Sequence, residues 1–124
     1  MIPMKKTICI VDDFKNTRFV IRFTLQNAGY RVEEAEDGKE ALKLFDGRKI
    51  DLLITDLNMP NMNGIQLVKA IKKMPHYQFI PTLILTTETD EKRREEAKEA
   101  GVTGWIKKPF DSTRFLKIIE KAIK

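Results

Sequence analysis

The sequence predicts an α/β fold in which helices cover both faces of a doubly wound sheet of five parallel strands. Short apolar or β-branched segments alternate strictly with longer segments of helical period along the chain. Strands separated by a helix pair in parallel through right-handed crossovers, so this alternation implies a three-layer sandwich. With 124 residues, of which 42% are hydrophobic and 33% charged, the chain can bury a core of its own. We therefore expect one domain over residues 1–124.

The five strands are predicted from short segments that are rich in apolar and β-branched residues. These segments are Lys6 to Val11, Arg31 to Ala35, Ile50 to Thr55, Pro81 to Thr86 and Gly104 to Lys107. All are too short to cross a bilayer, and the first runs into two aspartates, which excludes a signal-peptide core. The single cysteine, Cys9, agrees with a reducing compartment. A cytoplasmic protein without membrane contact is expected.

The first two helices are predicted from the spacing of their apolar residues and from their ends. Residues at three- and four-residue steps should form the buried face of the first helix: Thr17, Val20, Ile21, Thr24, Leu25 and Ala28. Gly29 should end this helix. The second helix should begin after Asp37 as N-cap, with Glu40 at the capping-box position, and end before Gly47. Its expected buried residues are Ala41, Leu42, Leu44 and Phe45.

The last three helices differ in character. The third is predicted from Gly64 to Lys73, because Pro75 stops it. The fourth, from Asp90 to Ala100, is almost entirely charged and offers only two alanines for burial, so thin packing is expected. The fifth opens at Asp111 or Ser112. Its expected buried residues are Phe115, Leu116, Ile118, Ile119 and Ala122.

Reactive side chains lie at the carboxyl ends of four of the predicted strands, at the edge where an open parallel sheet binds its ligands. They are Asp12 and Asp13, Asp56, Thr86, and Lys108. Three carboxylates placed so closely would repel one another unless a cation offset their charge. Oxygen ligands favour Mg²⁺, with Mn²⁺ as a possible substitute, over zinc or Ca²⁺. Because a carboxylate beside Mg²⁺ is a competent nucleophile toward phosphorus, phosphoryl transfer is the expected chemistry.

Longer motifs surround these positions over nearly the whole chain. They are Val11-Asp12-Asp13-Phe14, Val32 to Gly38, Asp56 to Gly64, Thr86, and Lys108-Pro109-Phe110. Together they resemble the receiver domains of two-component response regulators, in particular those of chemotaxis. The resemblance implies a flavodoxin-like sheet with the strand order 2-1-3-4-5 and a cis peptide bond before Pro109.

The resemblance also implies roles for the acidic residues and the lysine. Asp56 would be the phosphoacceptor. Mg²⁺ would be held by Asp13, Asp56 and the backbone carbonyl of Asn58, while Asp12 would act mainly through a bound water. Lys108 would pair with the phosphoryl group.

A switch is implied as well. Thr86 would move toward a phosphoryl oxygen, and Trp105 would turn into the vacated space. Trp105 and Thr87 stand where chemotaxis receivers carry tyrosine and alanine, so they crowd this switch. Asn58 and Glu88 match the chemotaxis pair that flanks the attacking water, which predicts rapid self-dephosphorylation.

The partners implied by the resemblance are proteins. A sensor histidine kinase, of the chemotaxis type, would supply the phosphoryl group. Helix four, strand five and helix five would form the output surface. There Trp105, Lys107, Lys117 and Lys121 would receive an acidic segment of a target, for which similarity suggests a flagellar motor switch. Lys107 is itself a departure, because it replaces a valine. We expect a monomer whose own chemistry is limited to self-phosphorylation and self-dephosphorylation.

Other functions fit parts of the same pattern. A Mg²⁺-dependent phosphatase or phosphotransferase would use the same aspartate on a small substrate, but such enzymes carry D-x-D where this chain has Asn58. A flavin-binding domain would place acids against the FMN phosphate, and a Rossmann site would need a G-x-G-x-x-G motif. No effector domain fits in the chain, so transcriptional output would require it to be a fragment of a longer regulator. The net charge is +5, but the positive and negative residues are interspersed along the chain, which disfavours nucleic-acid binding.

Overall fold

The computed structural model describes residues 5–124 and contains the predicted layers of helix, sheet and helix. The strands are β1 (Thr7–Val11), β2 (Arg31–Ala35), β3 (Leu52–Thr55), β4 (Thr82–Thr86) and β5 (Gly104–Lys107). The helices are α1 (Lys15–Asn27), α2 (Gly38–Leu44), α3 (Gly64–Lys72), α4 (Glu91–Glu99) and α5 (Ser112–Ile123), with a short 3₁₀ helix at Pro75–Tyr77. The strands form one parallel sheet in the order β2-β1-β3-β4-β5. The predicted fold class and strand order are confirmed.

Two larger cores lie on opposite faces of the sheet, because successive side chains of a strand point to opposite sides. Ile8 and Ile10 of β1 belong to a core completed by α1 and α5. Cys9 and Val11 of the same strand belong to the core under α2 and α3. A smaller cluster beneath α4 contains one residue of that helix, Ala97. The expected thin packing of α4 is confirmed.

The buried face of α1 is narrower than its apolar spacing predicts. Ile21 and Leu25 are buried, whereas Val20 is 50% exposed and Ala28 is also exposed, so the prediction was wrong for these two residues. In a helix each residue turns about 100° from the previous one, which places Val20 on the flank of the face that Ile21 buries. Ile118 of α5 is likewise exposed rather than buried.

Helix capping agrees with the prediction in part. The Asp37 side chain accepts a hydrogen bond from the Glu40 N–H, which confirms Asp37 as N-cap of α2. The Glu40 carboxylate pairs with Lys43, one turn further along the helix. A complete capping box, which is not among the predictions, lies instead at α3, between Asn63 and Gln66.

None of the helices within residues 5–124 combines the length and the apolar composition that crossing a bilayer requires.

Candidate metal and phosphoryl site

Three carboxylates meet at the edge formed by the carboxyl ends of β1 and β3. Asp12, Asp13 and Asp56 each offer one oxygen, and these oxygens all lie within 4.8 Å of one another. Asp12 and Asp56 are 2% and 7% exposed, whereas Asp13 lies at the exposed rim. The carboxylates would bind a cation from one side only and leave its other coordination positions to water. This arrangement suits Mg²⁺, which keeps several of its waters in proteins. The donor set therefore fits the predicted ion.

Backbone hydrogen bonds hold the two buried carboxylates. The Asp56 N–H donates to the Val11 carbonyl at 2.8 Å, which ties the end of β3 to β1. The Leu57 N–H donates to Asp56 Oδ1 at 2.7 Å. The Phe14 N–H donates in the same way to Asp12 Oδ1 at 2.9 Å. The Oδ2 atoms of both aspartates are thus left to face other groups of the site.

Lys108 supplies the positive charge that these oxygens meet. Its Nζ donates to Asp12 Oδ2 at 2.6 Å and to Asp56 Oδ2 at 3.1 Å. Burial opposes the charge of the ammonium, but the hydrogen bonds and the attraction of the two carboxylates outweigh it and raise the pKa of Lys108. The peptide bond between Lys108 and Pro109 is cis, as the resemblance implies.

The charges at the site match a divalent cation. Three ionised carboxylates beside one ammonium leave two uncompensated negative charges. Asp12 and Asp56 are buried, where a charge without a partner is costly, and Asp13 lies beside them at the rim, so a divalent ion would offset the two remaining charges.

Thr86 connects this site to the neighbouring loops. Its side chain is buried at the end of β4, where Oγ1 accepts a 3.2 Å hydrogen bond from the Glu88 N–H. Its carbonyl accepts a bond of 2.9 Å from the Lys108 N–H. Asn58 is exposed in the loop after Asp56, and Glu88 is half-buried.

Trp105 lies half-buried on β5 and faces α4. It packs against the cluster that contains Ala97. It also lines two grooves beside α4, one together with Val102 and the other together with Glu88 and Lys107. The indole therefore borders the loop that follows Thr86. Of the other predicted output residues, Lys107 is exposed on β5, and Lys117 and Lys121 are exposed on α5.

Two residues that contact the site were not recognised from the sequence. Arg18 donates from Nη1 to the Asp12 carbonyl at 2.6 Å. Its position three residues before Ile21, at the edge of a buried face, was the available signal, because a charge there needs a partner. Gly64 lies against the backbone of Asp56, where a Cβ would come within 2.3 Å of the carbonyl oxygen. The glycine itself is visible at the end of the motif from Asp56 to Gly64, but the contact that requires it is not.

Comparison with known proteins identifies the family. Residues 8–120 match the family described as the response regulator receiver domain. The chain therefore belongs to the response regulator receiver family, as its motifs predicted. It is similar to the chemotaxis protein CheY of Pseudomonas aeruginosa, with 38% identity over 92% of this chain and 93% of that protein. It is also similar to CheY-3 of Vibrio cholerae, with 36% identity over 92% of this chain and 88% of that protein.

Solved structures show the same relationship. The chemotaxis protein CheY4 of Vibrio cholerae superimposes with a TM-score of 0.92 at 41% identity, over 96% of this chain and 99% of that chain. The receiver domain of HemR from Leptospira biflexa gives a TM-score of 0.87 at 32% identity, over 97% of this chain and 95% of that chain. The protein is thus a CheY-like receiver.

Proposed function

We propose that this protein is a chemotaxis-type response regulator in which Asp56 accepts a phosphoryl group from a histidine kinase in a Mg²⁺-dependent reaction. The observation that supports this most directly is the meeting of three carboxylates with the Lys108 ammonium at one edge of the sheet. The similarity to chemotaxis proteins named CheY supports the signalling role.

The metal would be held by Asp13, Asp56 and the backbone carbonyl of Asn58, with Asp12 acting through a bound water. Mg²⁺ would supply positive charge next to the oxygens of the incoming phosphoryl group. Mn²⁺ could take its place, because it accepts the same oxygen ligands.

Asp56 Oδ2 is the proposed nucleophile. Oδ1 already accepts the Leu57 N–H, whereas Oδ2 faces the Lys108 ammonium. As the new bond from phosphorus to oxygen forms, the bond from phosphorus to the kinase histidine nitrogen breaks in line with it. Lys108 is placed to pass from the carboxylate to a phosphoryl oxygen and to stabilise its charge.

Phosphorylation would then change the surface around Trp105. A phosphoryl oxygen would draw the Thr86 hydroxyl away from the Glu88 N–H, and Trp105 would turn into the space that Thr86 leaves. The two arrangements form a two-state equilibrium that the added charge biases. The surface formed by α4, β5 and α5, with Lys107, Lys117 and Lys121, would bind an acidic segment of a target protein such as a flagellar motor switch.

The phosphorylated state should be short-lived. Asn58 is exposed two residues after the acceptor, and Glu88 follows Thr86 at the same edge of the sheet, so both would border the path of the attacking water. Rapid loss of phosphate suits a behavioural signal. A phosphoryl group that stayed on Asp56 for hours would contradict this part of the proposal.

Labelling with a small phosphodonor tests the central claim. Incubation with acetyl phosphate and Mg²⁺ should phosphorylate the wild type and change the fluorescence of Trp105, the only tryptophan. Asp56→Asn should abolish labelling, and chelation of the metal should suppress it. Asp46→Asn, at an exposed aspartate outside the site, is the matched control. Equal labelling of Asp56→Asn and wild type would reject the proposal.

Transfer from a purified kinase tests the partner. Chemotaxis-type histidine kinases should phosphorylate the protein faster than kinases of other classes. Many turnovers on a sugar phosphate, without a lasting change in Trp105 fluorescence, would instead favour a small-molecule phosphatase.

A further inference from the structure

An arginine on α1 contacts the backbone at the acid cluster. Arg18 Nη1 donates to the carbonyl oxygen of Asp12 at 2.6 Å, and its side chain is only 13% exposed. Its Nε donates to Glu34 Oε1 on β2 at 3.4 Å. Arg22, one turn further along α1, pairs with the other oxygen of the same glutamate. Glu34 therefore orients the guanidinium groups of both arginines, and the Arg18 group also contacts the acid cluster.

The carbonyl that Arg18 binds is a sensitive position. It belongs to the peptide unit whose N–H is that of Asp13, so holding this carbonyl fixes the peptide plane from which Asp13 departs. Neighbouring N–H groups already orient the carboxylates of Asp12 and Asp56. Asp13 lies at the exposed rim, where the direction of its backbone decides whether its carboxylate faces the other two.

We infer that Arg18 is a positioning residue for divalent-cation binding, which acts through the Asp12–Asp13 peptide and is itself oriented by Glu34. This inference rests on the proposed function, because it assumes that the acid cluster binds Mg²⁺. Groups that orient metal ligands from outside the coordination sphere commonly change metal affinity by about 10–100-fold.

The charge of Arg18 alone would have the opposite effect. A guanidinium close to the acid cluster repels an incoming cation, so removing only its charge would tighten Mg²⁺ binding. If Arg18 positions Asp13, its removal weakens Mg²⁺ binding instead. The sign of the change therefore separates positioning from simple electrostatics.

Arg22 provides the matched control. It is an arginine on the same helix that pairs with the same glutamate, but its side chain is 35% exposed, and the hydrogen bond to the Asp12 carbonyl comes from Arg18. Arg22→Gln removes a comparable charge while it leaves the bond from Arg18 to Asp12 in place.

Calorimetric titration of the full chain with Mg²⁺ alone tests the inference. Arg18→Gln should raise the Mg²⁺ dissociation constant about tenfold, whereas Arg22→Gln should change it by less than about twofold. Arg18→Lys keeps the charge and the aliphatic stem. A single ammonium cannot donate to the Asp12 carbonyl and to Glu34 with the geometry of the planar guanidinium, so this variant should also weaken Mg²⁺ binding. Because Arg18→Lys preserves packing, its Mg²⁺ dissociation constant tests the inference if Arg18→Gln fails to fold.

The outcomes are distinct. Unchanged or tighter Mg²⁺ binding by every Arg18 variant that folds would overturn the inference while leaving the proposed function intact. Equal weakening by Arg22→Gln would also overturn it, because the effect would then not depend on the Asp12 carbonyl. A wild type that bound no Mg²⁺ would reject the proposed function, and the inference with it.

Discussion

The Lys108 ammonium donates a 2.6 Å hydrogen bond to Asp12 Oδ2, which joins residues 96 positions apart in the chain. The same ammonium reaches Asp56, so one cation links the loop after β5 to the ends of β1 and β3. These strands are not all neighbours, because β4 lies between β3 and β5. The Lys108 ammonium and the two carboxylates thus help to hold the ends of these strands together.

Removing Lys108 should destabilise the metal-free protein. Lys108→Met leaves the buried carboxylates of Asp12 and Asp56 without their cation, at a cost of about 3–5 kcal/mol. Urea unfolding in the presence of a chelator measures this loss. Excess Mg²⁺ should restore part of it, because the ion offsets the same charges. Lys107→Met, at the exposed neighbour, is the control, and an equal loss in both variants would contradict the expectation.

Alkaline pH should destabilise the protein through Cys9. Burial, followed by the nearby Glu33 charge, raises the pKa of the Cys9 thiol from 9.0 to about 12 in the folded protein. Above pH 9 the unfolded chain loses this proton while the folded chain keeps it, so stability falls as pH rises toward 12. The slope approaches about 1.4 kcal/mol per pH unit.

Urea unfolding across this range of pH, with Cys9→Ala as comparison, measures the effect. The variant should be less stable overall, but its unfolding free energy should fall less steeply with pH, because it has no thiol to titrate. Lys108 adds a further loss only at higher pH: its raised pKa stabilises the folded state below the ordinary value of 10.5, and this is lost as pH rises through the folded pKa. Identical slopes for wild type and Cys9→Ala just above pH 9 would show that burial does not protect the thiol.

The Tyr77 hydroxyl should stabilise the loop between α2 and β3. It accepts a hydrogen bond from the Gly47 N–H and donates one to the Arg48 carbonyl, both at 2.7 Å. Tyr77→Phe removes both bonds and should cost about 1–3 kcal/mol in unfolding free energy. The other tyrosine, Tyr30, is only half-buried, so Tyr30→Phe should cost less than about 0.5 kcal/mol. A similar cost for both variants would argue against this role.

Gly64→Ala should disturb the acceptor aspartate. The added Cβ would lie 2.3 Å from the Asp56 carbonyl oxygen, so one of the two backbones must move. Such overpacking costs about 1–3 kcal/mol and should also weaken Mg²⁺ binding by displacing Asp56. Gly29→Ala is the control: its φ of +97° strains alanine, but the space around it is open and it lies outside the site. Thermal unfolding and Mg²⁺ titration of both variants would separate a general loss of stability from damage to the site.

Local patterns were sufficient to predict most of the fold. The third helix, predicted from Gly64 to Lys73, ends one residue earlier, and the third strand starts at Leu52 rather than at Ile50. Periodicity does not measure how much of a helix its neighbours cover, and for this reason the exposure of Val20 was missed. The capping box of α3 was missed as well, although Asn63 and Gln66 carry it within four consecutive residues.

The sequence by itself determined which residues could form the site. Parallel strands end at one edge, so the sequence alone predicts that Asp12, Asp13, Asp56 and Lys108 meet there. Only the tertiary structure decided how they meet. It decided which oxygen of Asp12 and of Asp56 already accepts a backbone hydrogen bond, and that one ammonium serves both carboxylates. It also decided that Arg18 donates to the Asp12 carbonyl and that Gly64 lies against the Asp56 carbonyl. The physical reason is distance along the chain. Contacts between residues far apart in sequence depend on how whole helices and strands pack, and no local spacing records that.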